Sequence, residues 1–206
     1  MRVALGFRTH SGWTAMIALR DPVAAPAVVQ RRRLELADLR ISGSQQPYHA
    51  AEKMTLNEAE EFIQERAESS LAMARNAVDK ALAELSKKGY AVHGACVIAA
   101  SGRPPQSLSA TLKSHALIHT AEGDFYRDVI RRACESAGLK TTAIKEKLLR
   151  VEMSIGERAQ RISEMGKLIG SPWTQDEKLS ALAAWLLLDE SQAVADRDRM
   201  ASICLR

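Results

Sequence analysis

The first forty positions contain two short apolar runs and a third segment most of whose large apolar residues share one parity, a pattern that predicts three β-strands. The strands are expected over residues 3–7, 13–19 and 27–38. A Ser-Gly pair at 11–12 and an Asp-Pro pair at 21–22 separate them, as turn residues do. Four consecutive polar residues at 30–33 are typical of a solvent-exposed edge strand. The pattern therefore predicts an antiparallel meander with the third strand at its edge.

The strongest helical signal covers residues 55–88, where apolar positions recur every three or four residues. Thr55 and Glu58 have the spacing of a capping box at its start, and Gly89 stands just beyond its end. An alanine-rich seam along this helix suits close packing on a sheet.

Residues 90–100 are apolar at both alternating sets of positions, which indicates a parallel strand covered on both faces. Helices are predicted over residues 107–115, 121–137 and 154–170 and from residue 174 onward, and a further strand over 141–144. The order β-β-β-α-β-α-β-α predicts an α/β fold with a mixed five-stranded sheet and helices on both faces. We expect a single domain over residues 1–190 and a polar C-terminal tail over 191–206.

Composition narrows the class of protein. The 206 residues are 46% hydrophobic and 26% charged, which is ordinary for a globular domain, and a net charge of +4 does not by itself indicate nucleic-acid binding. No apolar run approaches the roughly 20 residues of a membrane span, so no membrane association is expected. Three widely spaced cysteines without a CxxC motif favour a reducing, cytoplasmic location.

Three passages resemble the ribonuclease H-like superfamily, and within it the RuvC-type Holliday-junction resolvases. They are VALGFRTHSG at 3–12, CVIAA at 96–100 and WTQDEKLSALAAW at 173–185. In that family the corresponding first strand, fourth strand and last helix carry catalytic acids. The resemblance implies a cluster of three or four carboxylates that holds two Mg²⁺ ions during phosphodiester cleavage.

The sequence departs from this pattern at the acids themselves. The first-strand position falls at Phe7 or Arg8 and the fourth-strand position at Ala99 or Ala100, so that Asp176 is what remains of the set. The resemblance therefore implies a nuclease relative whose acidic catalytic cluster is largely missing.

A segment between residues 114 and 127 is dense in chemically capable side chains, namely His115, His119, Glu122, Asp124 and Arg127. The two histidines are four residues apart and share one helix face, a spacing that can hold a metal, with the two acids adding oxygens. Alternatively, Thr120 and the backbone at a helix start hold an anion beside Arg127. A third interpretation is that Thr120 only caps a helix whose first turn is acidic.

The topology predicts that this segment and the end of the first strand face one crevice. Its lining is expected to comprise Arg8, His10, Ser11, His119, Glu122, Asp124, Asp176 and Lys178. An arginine in place of an acid either converts a cation site into an anion site or pairs with Asp176 and fills the old site.

The function expected from the sequence is binding of nucleic acid or another anionic partner without two-metal catalysis. The alternative is a divergent metal-dependent phosphodiesterase that uses His119, Glu122, Asp124 and Asp176 with Mg²⁺ or Mn²⁺. The long helix over 55–88 also suggests a homodimer. Cys96 and Cys134 fall in apolar surroundings and are expected to be inert core residues.

Overall fold

A computed structural model describes residues 1–100, 106–155 and 157–204 of the chain. In chain order its elements are β1 (Arg2–His10), β2 (Trp13–Arg20), β3 (Ala27–Glu35), α1 (Pro47–Ala51), α2 (Leu56–Lys87), β4 (Ala91–Ala99), α3 (Leu108–Leu112), α4 (His115–Ser136), β5 (Thr141–Lys145), α5 (Glu146–Ile155), α6 (Glu157–Ile169) and α7 (Gln175–Cys204). None of the helices within those ranges has the length and apolar character that crossing a bilayer requires.

The five strands form one mixed sheet in the order β3-β2-β1-β4-β5. The first three strands pair antiparallel, and β4 pairs parallel with both β1 and β5. This confirms the predicted meander, the edge position of β3 and the interior position of β4. The run of polar residues on β3 is split between the two faces, since Arg32 pairs with Glu84 of α2 while Arg31 pairs with Glu177 of α7.

Helices cover both faces of the sheet, and the alternation of β1 assigns each residue to one of them. Leu5 and Phe7 point into a core shared with α2 and α4, whereas Ala4 points into a second core formed mainly with α7. Even-numbered residues of β1 therefore face α7. This parity matters for function because it decides which side chains meet at the end of β1.

Gly6 lets α7 approach the sheet very closely. A Cβ at this position would overlap the backbone carbonyl of Ser180, and Ser180 in turn donates a hydrogen bond from its hydroxyl to the carbonyl of Ala15 at 3.1 Å. The contact fixes the first turns of α7 against β1 and β2. Asp176 lies one helical turn before Ser180 and so is held beside the end of β1.

The structure differs from the sequence prediction in its connections. Residues 47–51, expected to be loop, form α1, and α4 begins at His115 rather than at residue 121. Helix α5 follows β5 directly, where the charged sequence allowed no assignment. Helix α7 continues to Cys204, through most of the segment that was expected to be a polar tail. The limit of the domain at residue 190 stays a prediction.

Candidate functional site

The carboxyl end of β1 carries a network of ion pairs centred on Arg8. Because residue 8 is even-numbered, its side chain points toward α7, where its Nη1 pairs with Oδ1 of Asp176. Its Nη2 lies 3.2 Å from Oε1 of Glu146, the first residue of α5. Of the two arrangements considered for Arg8, the structure contains the ion pair with Asp176. Glu146 is a further partner that the sequence did not predict.

This network is largely shielded from solvent. The side chains of Arg8, Glu146 and Asp176 are 16%, 27% and 21% exposed. Burial alone would raise the pKa of Glu146, but hydrogen bonds from Arg150 and Arg8 outweigh it and hold that pKa below its ordinary value. The Glu146 carboxylate is therefore held ionised beside the guanidinium.

The donor set at this crevice does not fit a two-magnesium centre. Mg²⁺ requires carboxylate oxygens that are free to coordinate it. Here Arg8 binds both acids, and Ala100, one of the two positions to which the family resemblance assigns the fourth-strand acid, lines the same groove as Glu146.

A row of three side chains extends the crevice across the sheet. His10 on β1 stacks on Trp13 of β2 with ring centroids 4.4 Å apart, and the Arg33 guanidinium of β3 lies 3.9 Å from the Trp13 ring centroid. Nε2 of His10 is 3.1 Å from Oδ1 of Asp176 and 3.1 Å from Nη1 of Arg8. Burial, followed by the charge of Arg8, lowers the pKa of His10 below 6.5, so the ring is neutral near pH 7.

A second cluster contains three histidines. His115 and His119 in the first turns of α4 are joined at 3.0 Å between their Nε2 atoms, so the predicted shared face is present. His49 of α1 joins them, with ring centroids 5.4 Å from His115 and 4.7 Å from His119. One ligand atom from each of the three residues lies within 4.8 Å of the others.

Glu122 connects this cluster to α1 and not to the Arg8 network. Its Oε1 accepts hydrogen bonds from the backbone N–H groups of Tyr48 and His49 at 2.8 and 3.0 Å, and lies 3.3 Å from Nδ1 of His49. The N-cap residue of α1, Gln46, makes no side-chain hydrogen bond to the helix. The Glu122 carboxylate therefore takes its place by accepting from the free N–H groups of the first turn of α1. Burial raises the pKa of Glu122 even though these hydrogen bonds lower it.

The other predicted site residues have ordinary structural surroundings. Asp124 pairs with Arg127 at 2.9 Å along α4. Thr120 lies inside α4 and donates a hydrogen bond to the carbonyl of Ala116, so neither of the two roles predicted for it at a helix start is available. Ser11 accepts a hydrogen bond at its carbonyl from Gln45, and Lys178 is half-buried in the first turn of α7.

The single crevice expected from the sequence is thus divided into two groups of contacts. Arg8, His10 and Asp176 lie on the side of the sheet that α7 covers, whereas His119 and Glu122 lie on α4, which packs on the other side. The sequence missed Glu146, Trp13 and His49 as members of these groups. Of these three, only Trp13 could have been placed near the site from the sequence, because it follows directly on the turn that ends the first strand.

The strand order, the mixed sheet and the helices on both faces define a ribonuclease H-like fold of the RuvC type, which confirms the predicted fold. The structure is similar to that of Thermus thermophilus RuvC in complex with Holliday junction substrate, with a TM-score of 0.54 and 8% identity over 90% of this chain and 91% of that one. It is also similar to another Thermus thermophilus RuvC structure, with a TM-score of 0.52 and 9% identity over 89% of this chain and 91% of that one. No protein-family model and no curated protein matches the sequence.

Proposed function

We propose that this protein binds nucleic acid at the carboxyl-end edge of its sheet and does not cleave it by two-metal chemistry. The observation that carries the proposal is the Arg8 guanidinium bound to both Asp176 and Glu146. A fixed cation in this position neutralises Asp176, the acid that the family resemblance assigns to metal binding.

Basic side chains around the network favour a polyanionic partner. Lys147 and Arg150 line a groove with Glu146 and Ala100 next to the Arg8 network. Lys147 is exposed, and neither it nor Lys178 has an ion-pair partner in the described part of the chain. Cations without a carboxylate partner are the ones able to contact phosphates without first breaking an internal pair.

Fluorescence anisotropy tests the binding with labelled four-way junction, duplex and single-stranded DNA and RNA of matched length. Each phosphate contact contributes a slope of about −0.9 in a plot of log K against log salt concentration for duplex DNA. The K147A/K178A double variant is expected to weaken binding and to reduce that slope by about 2.

The K80A/K87A double variant is the matched control, because it removes the same charge from exposed positions on α2. It is expected to bind as the wild-type protein does. Salt-insensitive binding, no binding to any of these nucleic acids, or equal losses in the two double variants would contradict the proposed surface.

A cleavage assay tests the second half of the proposal. With Mg²⁺ or Mn²⁺ present, labelled junction and duplex are expected to remain intact. Metal-dependent cleavage that Asp176→Asn abolishes would overturn the proposal and favour the metal-dependent phosphodiesterase.

A homodimer through α2 stays a prediction. Seven residues of α2 are buried and the opposite side of the helix is polar and exposed. Light scattering over a range of concentrations tests it, and a mass of one chain throughout would exclude the dimer.

A further inference from the structure

We propose that His49, His115 and His119 form a binding site for a zinc ion, with Glu122 as the group that orients His49. The site is separate from the Arg8 network, because it is built on α1 and α4 on the other side of the sheet. Its ligands are imidazole nitrogens, which suit Zn²⁺ and related transition metals and not Mg²⁺ or Ca²⁺.

The spacing of the three rings is close to that of a zinc site. Zn–N bonds of about 2.0–2.1 Å in a tetrahedral arrangement place ligand nitrogens about 3.3 Å apart. The Nε2 atoms of His115 and His119 are 3.0 Å apart, and a nitrogen of His49 lies within 4.8 Å of both. A common ion requires the His49 nitrogen to approach the other two by up to about 1.5 Å, the difference between 4.8 Å and the spacing in a zinc site.

Glu122 supplies a second, independent observation that points to a cation. Its side chain is 3% exposed, and its Oε2 atom is buried without a hydrogen-bond partner among the described residues. A carboxylate behind a metal-binding histidine is a recurrent arrangement that fixes the tautomer of the ring and strengthens it as a ligand. With Nδ1 of His49 donating to Glu122, the Nε2 lone pair is the one available to a metal.

The arrangement also indicates how the ion would be coordinated. Three histidine ligands leave the fourth position of a tetrahedral zinc for water or an anion. His115 and His119 are exposed, so that this position is open to solvent. The site therefore has the ligand number of an accessible zinc centre and not that of a closed structural one.

The test is a Zn²⁺ titration of the full chain without a polyhistidine tag, followed by calorimetry or by competition with a chromophoric chelator. We expect one Zn²⁺ per chain, a rise in Tm with zinc, and no competition from a large excess of Mg²⁺. Replacement by Co²⁺ should give the visible absorption of a tetrahedral ion.

Four variants identify the ligands. H115A and H119A are each expected to lose at least about tenfold in zinc affinity, and E122Q, which keeps all three ligands, about 10- to 100-fold. H93A is the matched control, because His93 is exposed on β4 outside the cluster, and it should bind as the wild-type protein does.

Several results would overturn the site. They are a wild-type chain that does not bind Zn²⁺ stoichiometrically, an H115A/H119A double variant that binds as tightly as wild type, or an H93A variant that loses as much as the cluster variants. Far-ultraviolet circular dichroism of each variant confirms that the loss is not one of folding. Because His115 and His119 are exposed, both alanine variants are expected to fold.

Discussion

Replacing Arg8 by alanine leaves the carboxylates of Asp176 and Glu146 without the cation that lies between them. Exposed ion pairs are worth about 0–1 kcal/mol, whereas removing one partner of a buried pair costs about 3–5 kcal/mol. The three side chains are 16–27% exposed, so they fall between these limits. We expect Arg8→Ala to lower the free energy of unfolding by about 2–3 kcal/mol, or the Tm by about 5–10 °C for a chain of this length.

The same variant tests whether Arg8 takes the place of a cation. Once the guanidinium is gone, the carboxylates of Asp176 and Glu146 face a space that a divalent ion can enter. Mg²⁺ or Ca²⁺ should therefore raise the Tm of Arg8→Ala in a concentration-dependent way and leave that of the wild-type protein nearly unchanged. Differential scanning fluorimetry, together with urea unfolding, measures both effects.

Two further variants separate charge from geometry. Arg8→Lys keeps the charge but loses the two-pronged hydrogen bonding, and it should fall between wild type and Arg8→Ala. Arg40→Ala removes an arginine that is 89% exposed and paired with Asp38, and it should change stability much less. The reasoning is refuted if Arg8→Ala is no less stable than Arg40→Ala, or if divalent ions stabilise Arg8→Ala and wild type equally.

Three other predictions follow from the surroundings of the network and the core. Gly6→Ala should destabilise the fold by about 3 kcal/mol in urea unfolding, because the added methyl overlaps the backbone of Ser180; an unchanged midpoint would contradict the close approach. His10 has a lowered pKa, so the stability that its neutral ring contributes is present above about pH 6.5 and is lost as the pH falls through the lower folded pKa. His10→Gln should therefore flatten the decline in stability below about pH 6.5. The charged neighbours of the ring are Arg8, Arg33, Glu146 and Asp176, and a decline that the variant leaves unaltered would show that other groups cause it. Burial raises the pKa of Cys96 to about 11 and that of Cys134 to about 12, so peptide mass spectrometry should find both unlabelled by maleimide until the protein unfolds, and labelling of the native protein would show that they are accessible.

The fold was predictable from the sequence because its main signals are local and periodic. The short apolar runs of β1 and β2, the three-and-four repeat of α2 and the apolar character of β4 each identify an element without reference to the rest of the chain. Their order then leaves few possible layered sheets. The capping box of α2 is present as predicted, with Thr55 and Glu58 bonded reciprocally.

The sites were less predictable because their residues are brought together by tertiary contacts. Glu146 is 138 residues from Arg8, in a charged stretch without a clear helical or strand period. His49 lies in a five-residue helix that has no periodic pattern and is capped by Glu122, 73 residues away. A local pattern could identify His115 and His119, but it could not show that a third histidine completes the cluster.

The docking of α7 fixes the positions of residues 8 and 176 independently of their charges. Gly6 and Ser180 bring the end of β1 and the start of α7 together through backbone contacts, which do not depend on the charges at residues 8 and 176. Acids at both positions would repel each other and need a metal ion between them, whereas an arginine at one of them satisfies the other directly. The docking of α7 therefore brings residues 8 and 176 together, and in this chain an arginine and an aspartate at those positions form an internal ion pair.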